Sequence, residues 1–270
     1  MNKKIISFCH IIKCSGTTLS SLLRRSYGMN QLSVMPKPGE TIYGREQLKR
    51  DIRIFPNMRS ITGHGLRPYI DYGDMEERLE WFSWLREPTA RLISGYQHSI
   101  EKGGRNISFE DWLREPLHRN IQVYFLTGSE DDLDGAKEVI LNKMRFVGLV
   151  ERFDESLVLF KHIMGLEDLN IDYPKPANAA IKGRHAADIY EDLEKYRDLI
   201  ECNTSVDQAL YRWFVDEIYP TYVSSFGGER LAPSVEEVFK RAEVPSAERR
   251  RELLNNAFRK TIYEPLLRRI

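Results

Sequence analysis

The chain has 270 residues and carries 40 Lys+Arg against 40 Asp+Glu, a formal net charge of zero. That length buries a substantial core in one large domain or two small ones, and the charge balance excludes a general nucleic-acid binder, leaving room only for a local basic groove. Three cysteines (Cys9, Cys14 and Cys202) make no disulfide framework and no metal spacing, and no apolar run approaches the ~20 residues of a bilayer span, so a cytoplasmic protein with no transmembrane segment and no signal peptide is expected.

The first apolar run, from Ile5 to Cys9, predicts a buried strand. Leu19, Leu22 and Leu23 then fall at helical spacing. Between them Lys13-Cys14-Ser15-Gly16-Thr17-Thr18 is a small, hydroxyl-bearing turn headed by a lysine. A turn of this kind aims several backbone N–H groups at one spot beside a helix N-terminus, and Lys13 adds a full positive charge to that anion cradle. It is not a Walker A sequence, because the lysine precedes the glycine. An ordinary strand-to-helix turn with an exposed lysine is the plain alternative.

Pro36 and Gly39 mark a loop, and a polar amphipathic helix is expected from Arg45 to Ile54, ended by Pro56. Arg59 to Gly63 reads as a short strand whose carboxyl end holds His64 between two glycines. Open α/β sheets place their ligands at that edge, although a surface-loop histidine would look the same. Trp81 to Leu85 is the next strand; Arg86-Glu87-Pro88 follows and opens a helix running to about Glu101. Arg86 thus sits at a strand tip, with Ser94 two turns into the helix. An ATP-using enzyme would want a metal-holding Asp at that tip, so an arginine there suggests an anion bound without metal.

Periodic stretches over 117–126 and 134–144 predict helices, and Phe146 to Val150 another strand. A helix from Asp154 to Met164 should stop at Gly165. The segment from Asn170 to Arg184 reads as a loop bearing Lys182 and Arg184, either an ordinary connection or a ligand-binding one. Helices are expected over 186–202, over 206–219, and after Pro233 and Pro245. Strands alternating with helices predict an α/β fold with a central, mainly parallel sheet and a helical C-terminal part. Residues 1–228 are expected to form the main domain and 229–270 a helical extension of it.

Four stretches in order resemble one family. His10-Ile11-Ile12-Lys13-Cys14-Ser15-Gly16-Thr17-Thr18-Leu19 resembles the His-Ile-Pro-Lys-Thr-Gly-Gly-Thr opening of the Golgi-type carbohydrate sulfotransferases (heparan-sulfate 2-O/6-O-like) and their bacterial relatives. Leu85-Arg86-Glu87-Pro88-Thr89-Ala90-Arg91-Leu92-Ile93-Ser94-Gly95-Tyr96 is similar to their Leu-Arg-Asp-Pro-x-x-Arg-x-x-Ser-x-Tyr signature. Asn120-Ile121-Gln122 with Leu126-Thr127-Gly128, and the block from Phe146 to Leu157, resemble two further motifs. The likeness covers roughly residues 3–226.

The resemblance implies a P-loop-like fold and 3′-phosphoadenosine-5′-phosphosulfate as donor, used without metal. It places the 5′-phosphosulfate on Lys13, Cys14, Ser15, Gly16, Thr17 and Thr18, and the 3′-phosphate on Arg86 and Ser94. Lys182 and Arg184 would close over the nucleotide. It makes His64 the base that deprotonates a hydroxyl acceptor, expected to be a saccharide, with Glu151 and His98 in reserve. Lys13 would follow the charge developing on the leaving group. The chain departs from the pattern at Ile12, Cys14 and Ser15; Ser15 suits the turn if its φ is negative, a left-handed φ costing it about 1 kcal/mol. Two other readings stand beside this one, a P-loop kinase-like phosphotransferase and a non-catalytic nucleotide-binding relative.

Overall fold

The computed structural model describes residues 4–37, 39–173, 184–239 and 246–267. β1 (Ile5–Cys9) leads through the turn into α1 (Gly16–Tyr27), then β2 (Gln31–Ser33), α2 (Arg45–Ile54) and β3 (Ser60–Gly63). β4 (Leu79–Leu85) is followed by α3 (Pro88–Glu101), α4 (Phe109–Leu113), α5 (Ile121–Thr127) and α6 (Leu133–Asn142). β5 (Met144–Leu149) and α7 (Phe153–Ile163) come next, then α8 (Arg184–Glu191), α9 (Arg197–Trp213), α10 (Tyr219–Phe226), α11 (Leu231–Phe239), α12 (Ser246–Phe258) and α13 (Glu264–Leu267).

All five strands are parallel, in the order β2-β3-β1-β4-β5. Helices cover the sheet, so its strands are apolar on both faces; every residue of β1 is buried, Ser7 included. Aromatic side chains fill the layer beside β4: Phe82 stacks on Phe8 at 4.8 Å between centroids, and Trp84 meets Phe146 at 5.4 Å. A second, smaller cluster joins α3, α4, α8 and α9 through Leu92, Tyr96, Phe109, Trp112 and Ile189.

Parallel pairing brings every strand's carboxyl end to one edge. Lys13, His64, Arg86 and Glu151 follow β1, β3, β4 and β5 there, and β1 lies between two strands of which the later, β4, is reached by crossing over it. The crevice of an open α/β sheet forms where the strand order reverses in this way.

Two expectations need correction. The break foreseen between 202 and 206 is absent: α9 runs through it, and the interruption lies at 192–196 instead. Asn203 and Thr204 are buried inside the helix, where their donors find backbone carbonyls. Asn203 Nδ2 donates to the carbonyls of Leu113 and Leu199, and Thr204 Oγ1 to that of Ile200. The edge strand β2 was not foreseen, being only three residues with polar ends.

The C-terminal helices lie against the outer side of the sheet near α1. Asn255, buried in α12, donates to the carbonyls of Gly28 and Gln31. Tyr263 donates to Asp51 Oδ2 at 2.6 Å, and Tyr43 donates to the same oxygen at 2.8 Å. Arg50 Nε donates to Oδ1, so one buried carboxylate ties α2 to the C-terminal segment. No helix among the described residues is long and apolar enough to cross a membrane.

Asp51→Ala leaves two buried phenols and a guanidinium without their acceptor, and is expected to cost about 3–5 kcal/mol in urea unfolding. Tyr263→Phe, which removes one donor and keeps the ring, should cost about 1 kcal/mol.

Candidate functional site

The turn after β1 is built from backbone strain. Ile11 N–H donates to the Cys9 carbonyl and Cys14 N–H to the Ile11 carbonyl, which folds the chain back on itself. Lys13 and Ser15 then both adopt left-handed conformations, with φ of 68° and 58°. Two non-glycine residues in that region cost about 1–2 kcal/mol each. Ser15 therefore departs from the negative φ that would have suited it. Alternating conformations of this kind turn successive N–H groups toward a common point and make an anion-binding nest.

α1 starts at Gly16 with no side-chain cap and no acidic residue in its first turn. The N–H groups of its first turn have no partner within the helix and carry the positive end of its dipole. Gly16 is required here by a neighbour: a Cβ at this position would fall inside the His10 ring.

Arg86, at the tip of β4, is held on both sides. Its Nη1 donates to the Lys13 carbonyl at 3.2 Å. Its own peptide is bracketed by the buried side chain of Gln122, whose Oε1 accepts the Arg86 N–H and whose Nε2 donates to the Arg86 carbonyl, each at 2.9 Å. Gln122 is held in turn by Asp207. That carboxylate, fully buried in α9, accepts the N–H groups of Gln122 and Val123 at the first turn of α5. Burial pushes the Asp207 carboxyl above the usual range, while Arg91 and these N–H groups hold it down.

His64 sits beyond β3 and packs against His10, with ring centroids 3.9 Å apart and ring planes tilted by 31°. His64 Nδ1 lies 2.9 Å from the His10 carbonyl oxygen. A carbonyl can only accept, so Nδ1 carries the proton and the neutral ring keeps a lone pair on Nε2. Burial, opposed by that hydrogen bond and aided by the Arg67 charge, holds the His64 pKa below 6.5. His10 is pushed further, down to about 3, by burial first and then by His64 and Arg67.

These groups surround a cavity of about 300 Å³. Lys13, Ser15, Gly16, Thr17 and Thr18 line it from the turn, Arg86 and Ser94 from β4 and α3, and His10, His64 and His98 close it. Among the described residues no carboxylate lines it. Burial and then the Arg86 charge lower the Lys13 pKa, a sign that like charges are concentrated here. A larger cleft of about 670 Å³ opens alongside and shares Ile12, Lys13, His64 and His98 with the first. Its far wall carries Trp112, Leu117, Tyr124 and Phe125, with Arg105 paired to Glu115.

Most residues singled out in the sequence meet at this cavity; of the described ones, Cys14 and Glu151 do not. The Cys14 side chain is fully buried with Sγ 3.7 Å from Gln122 Oε1, and its N–H is spent on Ile11, so it braces the turn from behind. Glu151 accepts the Glu87 N–H at 2.9 Å and the Tyr211 hydroxyl at 2.8 Å, which occupies both its oxygens away from the cavity. Its neighbour Arg152 pairs with Glu155. Lys182 lies outside the described residues; Arg184 opens α8, and its side chain lies outside them too. Sequence reasoning missed His10, the bracket made by Gln122, and the buried carboxylate of Asp207. His10 and Gln122 stood inside quoted motifs, but their partners lie 54 and 36 residues away. Among the described residues no group of three His, Cys, Asp or Glu side chains is placed to hold a metal ion.

The site is thus a cavity lined by Lys13 and Arg86, with a strained turn on one side, at the carboxyl edge of a parallel α/β sheet. The sequence matches the sulfotransferase family over residues 2–218, and the chain belongs to that family. Sulfuryl transfer is its chemistry. A crystal structure of a sulfotransferase from Alicyclobacillus acidocaldarius is similar, at 17% sequence identity over 79% of this chain and 99% of that one, with a TM-score of 0.41. No curated protein matches the chain.

His10 is neutral in the fold and takes up a proton near pH 6.5 when unfolded, so the unfolded chain binds more protons between those values. Stability is therefore complete above about pH 6.5 and is lost as pH falls toward 3. Relative to pH 7, wild type should lose on the order of 2 kcal/mol more at pH 4.5 than His10→Gln does, read by urea unfolding at both pH values.

Proposed function

We propose that the chain transfers a sulfuryl group from 3′-phosphoadenosine-5′-phosphosulfate to a hydroxyl of a carbohydrate acceptor. One observation carries this reading: a cavity lined by Lys13 and Arg86, and by no carboxylate among the described residues, adjoins a larger aromatic cleft, and His64 belongs to both. The turn and the first N–H groups of α1 suit the phosphosulfate, and the Arg86 guanidinium with the Ser94 hydroxyl suits a dianionic 3′-phosphate.

In this reading the acceptor approaches from the larger cleft. Its oxygen attacks sulfur, the bond from sulfur to the bridging oxygen breaks, and the bisphosphate leaves with the electron pair. His64 Nε2 takes the hydroxyl proton, the tautomer being fixed by the Nδ1 hydrogen bond to His10. Lys13 faces the oxygen on which negative charge develops, where a single aimed donor is worth ~3–4 kcal/mol. Tyr124, half-exposed in the cleft, offers a face for a sugar ring.

Calorimetric titration with adenosine 3′,5′-bisphosphate is the direct test. Binding without metal, weakened about 10–100-fold in both Lys13→Ala and Arg86→Ala, is expected. A preference for Mg·ATP would move the reading to a kinase-like phosphotransferase. His64→Ala should keep bisphosphate affinity within a few-fold and lose ~10²–10⁴ in turnover. The acid limb of the wild-type pH–rate profile should lie below pH 6.5, because the His64 pKa is lowered.

A further inference from the structure

α12 is docked with its amphipathic sense reversed. Its polar residues face the body of the protein: Asn255 is buried, and Glu252 accepts from Ser21 Oγ at 2.6 Å and pairs with Arg24. Both oxygens of Glu248 accept from Asn170 Nδ2, at 2.8 and 3.0 Å. The leucines face outward instead, Leu253 being 67% and Leu254 65% exposed. A helix on the surface of a globular fold ordinarily turns its apolar stripe to the core. Here the aromatic contacts come from beyond the leucines, where Phe258 and Tyr263 meet Phe55 edge-on.

The exposed side carries charge of one sign. Arg250, Leu253 and Leu254 fall at i, i+3 and i+4 and make one stripe, with Arg249 and Arg251 on its two flanks. Lys260 and Ile262 continue the exposed surface in the turn Arg259–Tyr263 that follows. None of these cations forms an ion pair among the described residues. The acidic side chains of the same segment are all engaged elsewhere, Glu248 and Glu252 as above and Glu264 with Arg259.

We propose that this face docks the protein on an anionic lipid bilayer, with the cations among the headgroups and the leucines at the boundary with the acyl chains. Charge complementarity selects the occupant. A second copy of the chain on the same face would set arginine against arginine, and a protein partner would need an apolar hollow matched to two protruding leucines. A bilayer receives them without one. The helix has 13 residues, against the ~20 needed to span, so it lies on the surface and does not cross. Asn255 holds the helix to the carbonyls of Gly28 and Gln31, where β2 begins, at the opposite edge of the sheet from Lys13 and His64. The inference is independent of the donor and acceptor proposed above.

The test is flotation of the full chain with vesicles of phosphatidylcholine, alone or mixed with phosphatidylserine. Wild type should partition onto the mixed vesicles about 10-fold or more in excess of the neutral ones, and the excess should shrink as salt rises. Replacing both leucines (Leu253→Ser with Leu254→Ser) should weaken binding to mixed vesicles about 10-fold or more, and so should Arg249→Gln with Arg250→Gln. All four positions are exposed, and both double variants should unfold in urea as wild type does. Equal partitioning of wild type onto the two kinds of vesicle overturns the proposal without recourse to any variant. Binding that the leucine change leaves untouched overturns it too; if poly-glutamate is then bound as tightly as the mixed vesicles, the face belongs to an acidic protein partner.

Discussion

The Arg86 side of the cavity depends on one buried carboxylate. Asp207 accepts two N–H groups at the start of α5 and so fixes the position of Gln122. Gln122 clasps the peptide of Arg86 on both sides, and Arg86 reaches the carbonyl of Lys13. Four segments far apart in sequence are thereby held in one register: α9, α5, the tip of β4 and the turn after β1. Burying Asp207 raises its carboxyl pKa, a cost that the N–H groups and the Arg91 charge offset. The binding face is thus held by groups that do not themselves touch its contents, as pre-organisation requires.

The opposite side works by exclusion of negative charge. With 40 acidic and 40 basic residues, the protein as a whole has no electrostatic bias. The bias is local: among the described residues no carboxylate lines the smaller cavity, and Glu87, next to Arg86 in the family motif, is engaged as the cap of α3. Burial first, and the Arg67 charge after it, lowers the pKa of both histidines. In the proposed reaction, a ring that accepts a proton benefits from surroundings that discourage it from holding one already.

Much of this was legible because strand tips are local features. The apolar run Ile5–Cys9, the turn at Lys13–Thr18, the tip at Arg86 and the glycine-flanked His64 are each written in a few consecutive residues, and parallel pairing brings them to one edge without further information. What could not be read is what depends on pairing across the chain. The Cys14 thiol looks like part of the turn's face until the fold sets Gln122 behind it. Glu151 looks like a free carboxylate until Tyr211 closes on it. The continuous α9 was hidden because Asn203 and Thr204 favour breaks unless a buried neighbour satisfies them.

The position of β1 carries a consequence for how the molecule is made. Ile6 lies opposite Ser60 on one side and Glu80 on the other, so the central strand has no partner until chain well beyond it is in place. Nothing nearby in sequence pairs with it. Loop closure must precede each contact, which makes the sheet slow to assemble and leaves an entirely apolar-faced segment open to other chains meanwhile. During synthesis the strand that carries the Lys13–Thr18 turn emerges before β3 and β4, and it waits for both before it can be shielded.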